Sequence, residues 1–400
     1  MKLVNEAGRL CGIAGPDSMP GRGGCDPEEW IVDRSRERGR AAQFRLASGL
    51  PDNAGMIDAE IRSRFAGAAG YFNTASVGLP SAGTVAAMDE AIADWQAGRA
   101  EPPDYDEDVA AARRLFARIV STPVEWVTVG SQVSAHVGLA ATVLSPGSRV
   151  LCPVGEFTSV TFPFLARTDL ALDIKSVPLE DLASAINRGT DLVAFSAVQS
   201  LNGRVADLTA IKDAASANDT FTLVDATQAI GWLPLDATDY DFVVTGAYKW
   251  LLSPRGTAFM TVRPELLERV LPLYAGWYAG DSPWDSIYGM PLRLAPDARR
   301  LDLSPGWLAW VGTVPALQLV EEIGIDAIHA HNLGLANSLL AQIGMEPRNS
   351  AIVSIDLGEG FDPGRLEGLR VAFRSGRLRV GFHLYNTDND VARLVEAIKR

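Results

Sequence analysis

Asp225 and Lys249 are the residues whose types and surroundings point to chemistry. Asp225 closes the apolar run FTLV, and Lys249 closes the run DFVVTGAY. Short β-branched runs bounded by turn residues are expected as buried strands of a mostly parallel sheet. In such sheets ligands collect outside the carboxyl ends of the strands. The acid and the amine are therefore expected to face one pocket from neighbouring strands. A plain ion pair would satisfy that arrangement. So would a site for pyridoxal 5'-phosphate (PLP), which is held on a lysine amine while a carboxylate partners its pyridinium nitrogen.

The elements able to hold such a pocket can be read in order. Ser81–Ala97 and Glu107–Val120 carry apolar residues at helical spacing, with Pro102 and Pro103 breaking between them. Glu125–Val129 is expected as a strand, and a helix begins after Gly130. A strand–Gly–polar–helix junction is an anion site, because unpaired N–H groups and the helix dipole point outward; Ser131 and Gln132 fall there. His136, one turn into that helix, is expected to pack. Ala171–Val177 and Leu192–Ala197 are expected as strands, Leu179–Asn187 and Leu208–Asn218 as helices, and RPELLERVLP as a helix start. Strand–helix alternation with short links implies right-handed βαβ units and a sheet covered on both faces. The last hundred residues are expected to run helix, strand, helix, strand, helix.

Composition narrows the class. A chain of 400 residues can bury a large core. Apolar residues make up 47% of it, yet no apolar run reaches the length of a membrane span. A formal charge of −13 with no Lys/Arg-dense face argues against nucleic acid. Cys11, Cys25 and Cys152 do not make a disulfide framework, and no metal is expected. The protein is expected to be soluble and cytoplasmic. Residues 1–55 are rich in Gly, Pro and Arg without an apolar h-region, so they are not a secretory signal. They are expected as a mobile or over-annotated extension, with Met56 as a candidate start. Residues 56–272 would then form a large domain and 273–400 a small α+β domain.

Taken together, DATQ (Asp225–Gln228), TGAYKW (Thr245–Trp250) and SPRGTAF (Ser253–Phe259) resemble the class V branch of fold-type I PLP enzymes. That group includes cysteine desulfurases, kynureninases and isopenicillin N epimerase-like proteins. The closing RLRVGFHLYNT is similar to the arginine and YNT turn with which those enzymes end. The resemblance implies an α/β fold of the fold-type I transferase architecture, with a mostly parallel seven-stranded sheet and a small C-terminal domain. It also implies a homodimer sharing its active sites and an amino-acid substrate. By resemblance Lys249 carries PLP as a Schiff base, Asp225 pairs with the ring nitrogen and Gln228 donates to the ring's 3-oxygen. Ser131 and Gln132 fall where the family holds the phosphate, Tyr248 is a further phosphate donor, and Phe157 falls where the family stacks a ring on the cofactor. Arg379 takes the position that pairs with a substrate α-carboxylate, in keeping with its planar fork. Asn73, Thr74 and Ser76 lie in a segment that covers the site in the family. Gln199, Ser200 and Asn202 are candidates for a contact beside the 3-oxygen, with the register open. Trp277, within GWYAG, falls in a loop at the active-site mouth. Arg374 and Arg377 are expected to be solvated.

A desulfurase needs a thiolate that accepts sulfur, on a loop just before Arg379. AFRSGRL has neither a cysteine nor room for that loop. The persulfide route is therefore not expected. The resemblance implies β-elimination from a cysteine S-conjugate as the first choice, a C–S lyase activity, because class V enzymes with aromatic pockets and no catalytic cysteine include such lyases. Transamination or epimerisation comes second, kynureninase-type cleavage third, and a non-catalytic binding module last.

Overall fold

A computed structural model describes residues 57 and 59–399. The extension expected over residues 1–55, with Cys11, Cys25 and Met56, lies outside the described residues. Seven strands form the main sheet: β1 (Val127–Gly130), β2 (Arg149–Pro153), β3 (Asp173–Val177), β4 (Leu192–Ser196), β5 (Phe221–Asp225), β6 (Phe242–Gly246) and β7 (Ala258–Val262). Their order is β1-β7-β6-β5-β4-β2-β3. The block β3-β2-β4-β5-β6 is parallel, and β7 runs antiparallel to both of its neighbours.

The reason these runs are nearly all apolar is visible in the packing. Along β4, Val193 and Phe195 enter one core while Leu192 and Ala194 enter another on the opposite face. Helices and loops cover both faces, so alternation with polar residues has no use here. A second sheet, β8 (Ile352–Ile355), β9 (Ala372–Arg374) and β10 (Arg377–Gly381), is antiparallel in the order β8-β10-β9. One face packs on the helices Ile325–Gln342 and Asp388–Lys399 through Leu335, Leu339, Val391 and Leu394.

Three expected helices are shorter than their apolar spacing suggests. Leu179–Asn187 is a 3-10 turn followed by one α turn, Leu182–Ala185, because the Asn187 side chain accepts from Gly189 N and turns the chain out. The helix after Arg263 is the single turn Pro264–Leu267. Between β8 and β9 the expected helix is a 3-10 turn, Pro363–Leu366, opened by the side chain of Asp362 on Gly364 N. No single helix among the described residues is long and apolar enough to cross a membrane.

Candidate active site

The carboxyl ends of β2, β4, β5 and β6 converge, and each delivers a polar group. Asp225 is the last residue of β5 and pairs in register with Ser196 of β4 and Val244 of β6. Its carboxylate accepts from Thr227 N at 2.9 Å. Thr227 Oγ1 in turn accepts from Gly246 N at 3.0 Å, tying the end of β6 to the end of β5. Lys249 follows β6 on a tight turn. Its Nζ lies 5.4 Å from the ring centroid of Phe157 and 5.5 Å from that of Tyr248. Both Asp225 and Lys249 are buried.

Burial dominates the charge states. It pushes the Asp225 carboxyl above its ordinary value, against the opposing pull of Thr227 and Lys249. It also lowers the Lys249 amine to about 8; Asp225 resists that shift, and the positive charges of Arg379, Arg255 and Arg374 add to it. Glu156, just past β2, accepts from Ser196 N at 2.7 Å and from Phe157 N at 2.7 Å. It thereby fixes the loop that carries the Phe157 ring, which is 45% exposed. Burial raises the Glu156 carboxyl as well.

The lysine turn is locked from below. Trp250, fully buried, donates from Nε1 to Gln228 Oε1 at 2.7 Å, and its carbonyl is 2.9 Å from His383 Nε2. Leu384 N donates to His383 Nδ1, so Nε2 carries the proton; burial holds this imidazole neutral, with its pKa down to about 4. Gln228 Nε2 donates to Ala75 O at 2.8 Å and to Ser200 Oγ at 3.0 Å. Both amide hydrogens of Gln228 are thus engaged, and a bond to a cofactor oxygen requires the Ser200 bond to be exchanged. Arg379, 2% exposed, donates from Nη2 to Ser76 Oγ at 2.8 Å and from Nη1 to Ser200 Oγ at 3.1 Å and to the Ser200 carbonyl. Its Nε is buried without a partner among the described residues. Burial and the charge of Arg374 lower its pKa to about 10, so it stays cationic at neutral pH.

Ser200, left open in register with Gln199 and Asn202, is the member of that trio that meets the site. Gln199 donates to Val154 O and Asn202 accepts from Arg204 N. Asn73 begins the turn that holds Ser76, and its Oδ1 is buried without a partner. Thr74 is turned away, onto the hydroxyl of buried Tyr385. Ser131 and Gln132 are exposed at the start of the helix Val133–Ala140, where Gln132 is the N-cap residue without a side-chain bond. His136 is buried in that helix, with its pKa pushed down to about 4 by burial. Tyr248 has the Arg255 guanidinium over its ring at 5.0 Å. The ring of Trp277 contacts Tyr278 and Trp284, both of which donate to Asp106 at the start of the helix Asp106–Ile119. Sequence reasoning missed Glu156 and His383, and gave Arg374, exposed as expected, no contact with Arg379's serine; nothing in local spacing marks these contacts, since each is made with a partner distant in the chain.

The family model for class-V aminotransferases matches residues 137–355, more than half of the chain. The chain belongs to the class-V aminotransferase family. An uncharacterized aminotransferase of Bacillus subtilis is 26% identical over 314 residues, 73% of this chain and 83% of its own. Isopenicillin N epimerase of Streptomyces clavuligerus is 27% identical over 354 residues, 75% and 87% of the two chains. Among solved structures, a C-DES variant with glycine covalently linked to its PLP cofactor superposes with a TM-score of 0.75 at 18% identity, over 84% of this chain and 98% of the other. The fold is fold-type I, and the protein is a PLP-dependent enzyme. Its own residues fit that cofactor. A buried carboxylate with Thr227 as hydrogen-bond donor, a buried lysine amine under the charge of that carboxylate, an aromatic face exposed beside it and an Arg379 Nε without a partner among the described residues form one cluster. Asp225 would hold the ring nitrogen, Lys249 the aldehyde carbon and Phe157 the ring face.

Proposed function

We propose that the chain acts on an amino acid, with Arg379 holding the α-carboxylate and Lys249 serving as the base at Cα. PLP, when bound, supplies the sink for the electron pair left at Cα. The remaining work falls to the side chains. An amine with a pKa of about 8 is deprotonated in part near neutral pH, as a general base requires. Arg379 is held by Ser76 and Ser200, so its fork is oriented before substrate arrives.

The reaction we favour is β-elimination from a cysteine S-conjugate. The Cα proton passes to Lys249 Nζ, the electron pair becomes the Cα–Cβ double bond, the Cβ–S bond breaks and the thiolate leaves. Water then converts the released aminoacrylate to pyruvate and ammonia. The observation that carries this reading over a persulfide route concerns sulfur. Cys152, the one cysteine among the described residues, is buried in β2 with its thiol pushed up to about 12. The hairpin before Arg379 closes on Ser375 and Gly376 alone. Elimination to a free thiol needs no protein thiol.

Transamination or epimerisation is the second reading, favoured by the aminotransferase and epimerase among the relatives. We place the enzyme in the cytoplasm as a homodimer. The exposed Leu271, Leu273, Tyr274, Met290 and Leu292 around Trp277 support an interface there. The test is a product assay on PLP-loaded protein with a panel of cysteine S-conjugates and Lys249→Ala as control. Pyruvate and thiol from the wild type alone support the lyase. Conversion of the cofactor to pyridoxamine phosphate without pyruvate would replace it with transamination.

A further inference from the structure

Three arginines share one face of the β9–β10 hairpin. The register Arg374↔Arg377 and Ala372↔Arg379 puts Arg374, Arg377 and Arg379 on the same side. Arg377 is neutralised, with Nη1 2.9 Å from the carboxylate of Asp356 and Nε on Ser354 Oγ. Neither Arg374 nor Arg379 has a carboxylate partner among the described residues. They meet instead at one hydroxyl. Ser76 Oγ accepts from Arg379 Nη2 at 2.8 Å and from Arg374 Nη2 at 3.3 Å.

Two like charges brought within about 6 Å of each other oppose one another. Each is felt in the site: Arg374 helps to lower the pKa of both Arg379 and Lys249. The chain carries a net charge of −13, so acids are plentiful, yet at the lysine amine the carboxylate of Asp225 is set against three arginines, Arg379, Arg255 and Arg374. The pair also has depth. Arg379 is buried with an unpartnered Nε, while Arg374 is exposed at the rim with one amine on the carbonyl of Phe373. A deep and an outer guanidinium, joined at a hydroxyl and lacking a counter-charge, match a ligand with two anionic groups at different depths.

We infer that Arg374 is a specificity-determining residue that receives a second carboxylate, carried at the end of the substrate side chain. On the reading that Arg379 holds the α-carboxylate, the substrates are cysteine S-conjugates whose sulfur substituent ends in a carboxylate.

Calorimetry on PLP-loaded protein with glutarate and with glutaramate, its monoamide, tests the two-anion site without turnover. The wild type is expected to bind glutarate at least tenfold more tightly, and Arg374→Gln to bring that ratio close to one. Arg374→Glu is expected to invert it. A ratio near one in the wild type, or one that survives Arg374→Gln, overturns the inference. In the same preparations, pyruvate release from S-carboxymethyl-L-cysteine is expected to exceed that from S-carbamoylmethyl-L-cysteine. If neither compound yields pyruvate, the lyase reading fails, while the calorimetric ratio still decides the role of Arg374.

Discussion

At the scale of single residues, the site holds its charged groups at a cost in stability. Lys249 has a folded-state pKa of about 8 against an ordinary 10.5. Between those values the unfolded chain binds more protons, so stability rises with pH across that interval and the penalty is fully present below it. Lys249→Met is therefore expected to stabilise the unloaded protein at pH 7 by about 1–3 kcal/mol. Urea midpoints of the two proteins should converge as pH approaches 10.5; a constant gap would mean that packing, not charge, separates them. Asp225 is displaced in the opposite direction for the same reason, burial. Asp225→Asn is expected to raise the melting temperature of unloaded protein at neutral pH and to abolish turnover with every amino acid, the pattern of a group kept for chemistry. PLP uptake by unloaded protein needs the free amine, so its rate is expected to rise with pH and level off above about pH 8.

Elements matter here chiefly through close approaches of backbone. Gly78 N donates to Tyr248 O at 2.9 Å, and a Cβ at Gly78 would stand 2.1 Å from the carbonyl oxygen of Lys249. Gly231 has φ +111, and a Cβ there would stand 2.2 Å from the Trp250 carbonyl. Neither obstacle is a flexible side-chain tip, so the lysine turn itself would have to move. Gly78→Ala is expected to cost about 1–3 kcal/mol or more and to weaken PLP attachment. A variant that keeps the wild-type visible absorbance would show that the segment before residue 80 does not set the lysine turn. Trp250→Phe removes the donor to Gln228 Oε1 and leaves a buried acceptor unpaired, for an expected loss of about 1–3 kcal/mol in denaturant titration.

Across the whole molecule, Arg113 and Asp302 join distant parts of the chain. The Asp302 carboxylate accepts from Arg113 Nη1 at 3.2 Å and Nη2 at 2.5 Å, from Thr128 Oγ1 at 2.9 Å and from Val129 N at 2.9 Å. One buried acid thereby ties the segment after the aromatic loop to β1 and to the helix Asp106–Ile119. Asp302→Ala would strand the guanidinium and two donors, with an expected loss of about 3–5 kcal/mol by chemical denaturation. A loss below about 1 kcal/mol would mean that water substitutes for the carboxylate.

The parallel core strands, and the burial of Asp225 and Lys249 at the carboxyl ends of two of them, were legible in the chain alone, because buried strands of a doubly covered sheet are written as short apolar runs. The place of Arg379 came from the resemblance of the closing RLRVGFHLYNT and not from its spacing to Lys249. Helix lengths were less legible, since Asn187 and Asp362 end or replace helical turns through local side-chain bonds that periodicity ignores. What the tertiary structure decided is which polar groups meet. Ser200 rather than Gln199 or Asn202, Glu156 beneath Phe157, His383 on Trp250, and Arg374 beside Arg379 on one serine hydroxyl are contacts between residues far apart in the chain. Hydrogen bonds and charge act over a few ångströms of space, and sequence separation carries no information about that distance until the sheet is assembled.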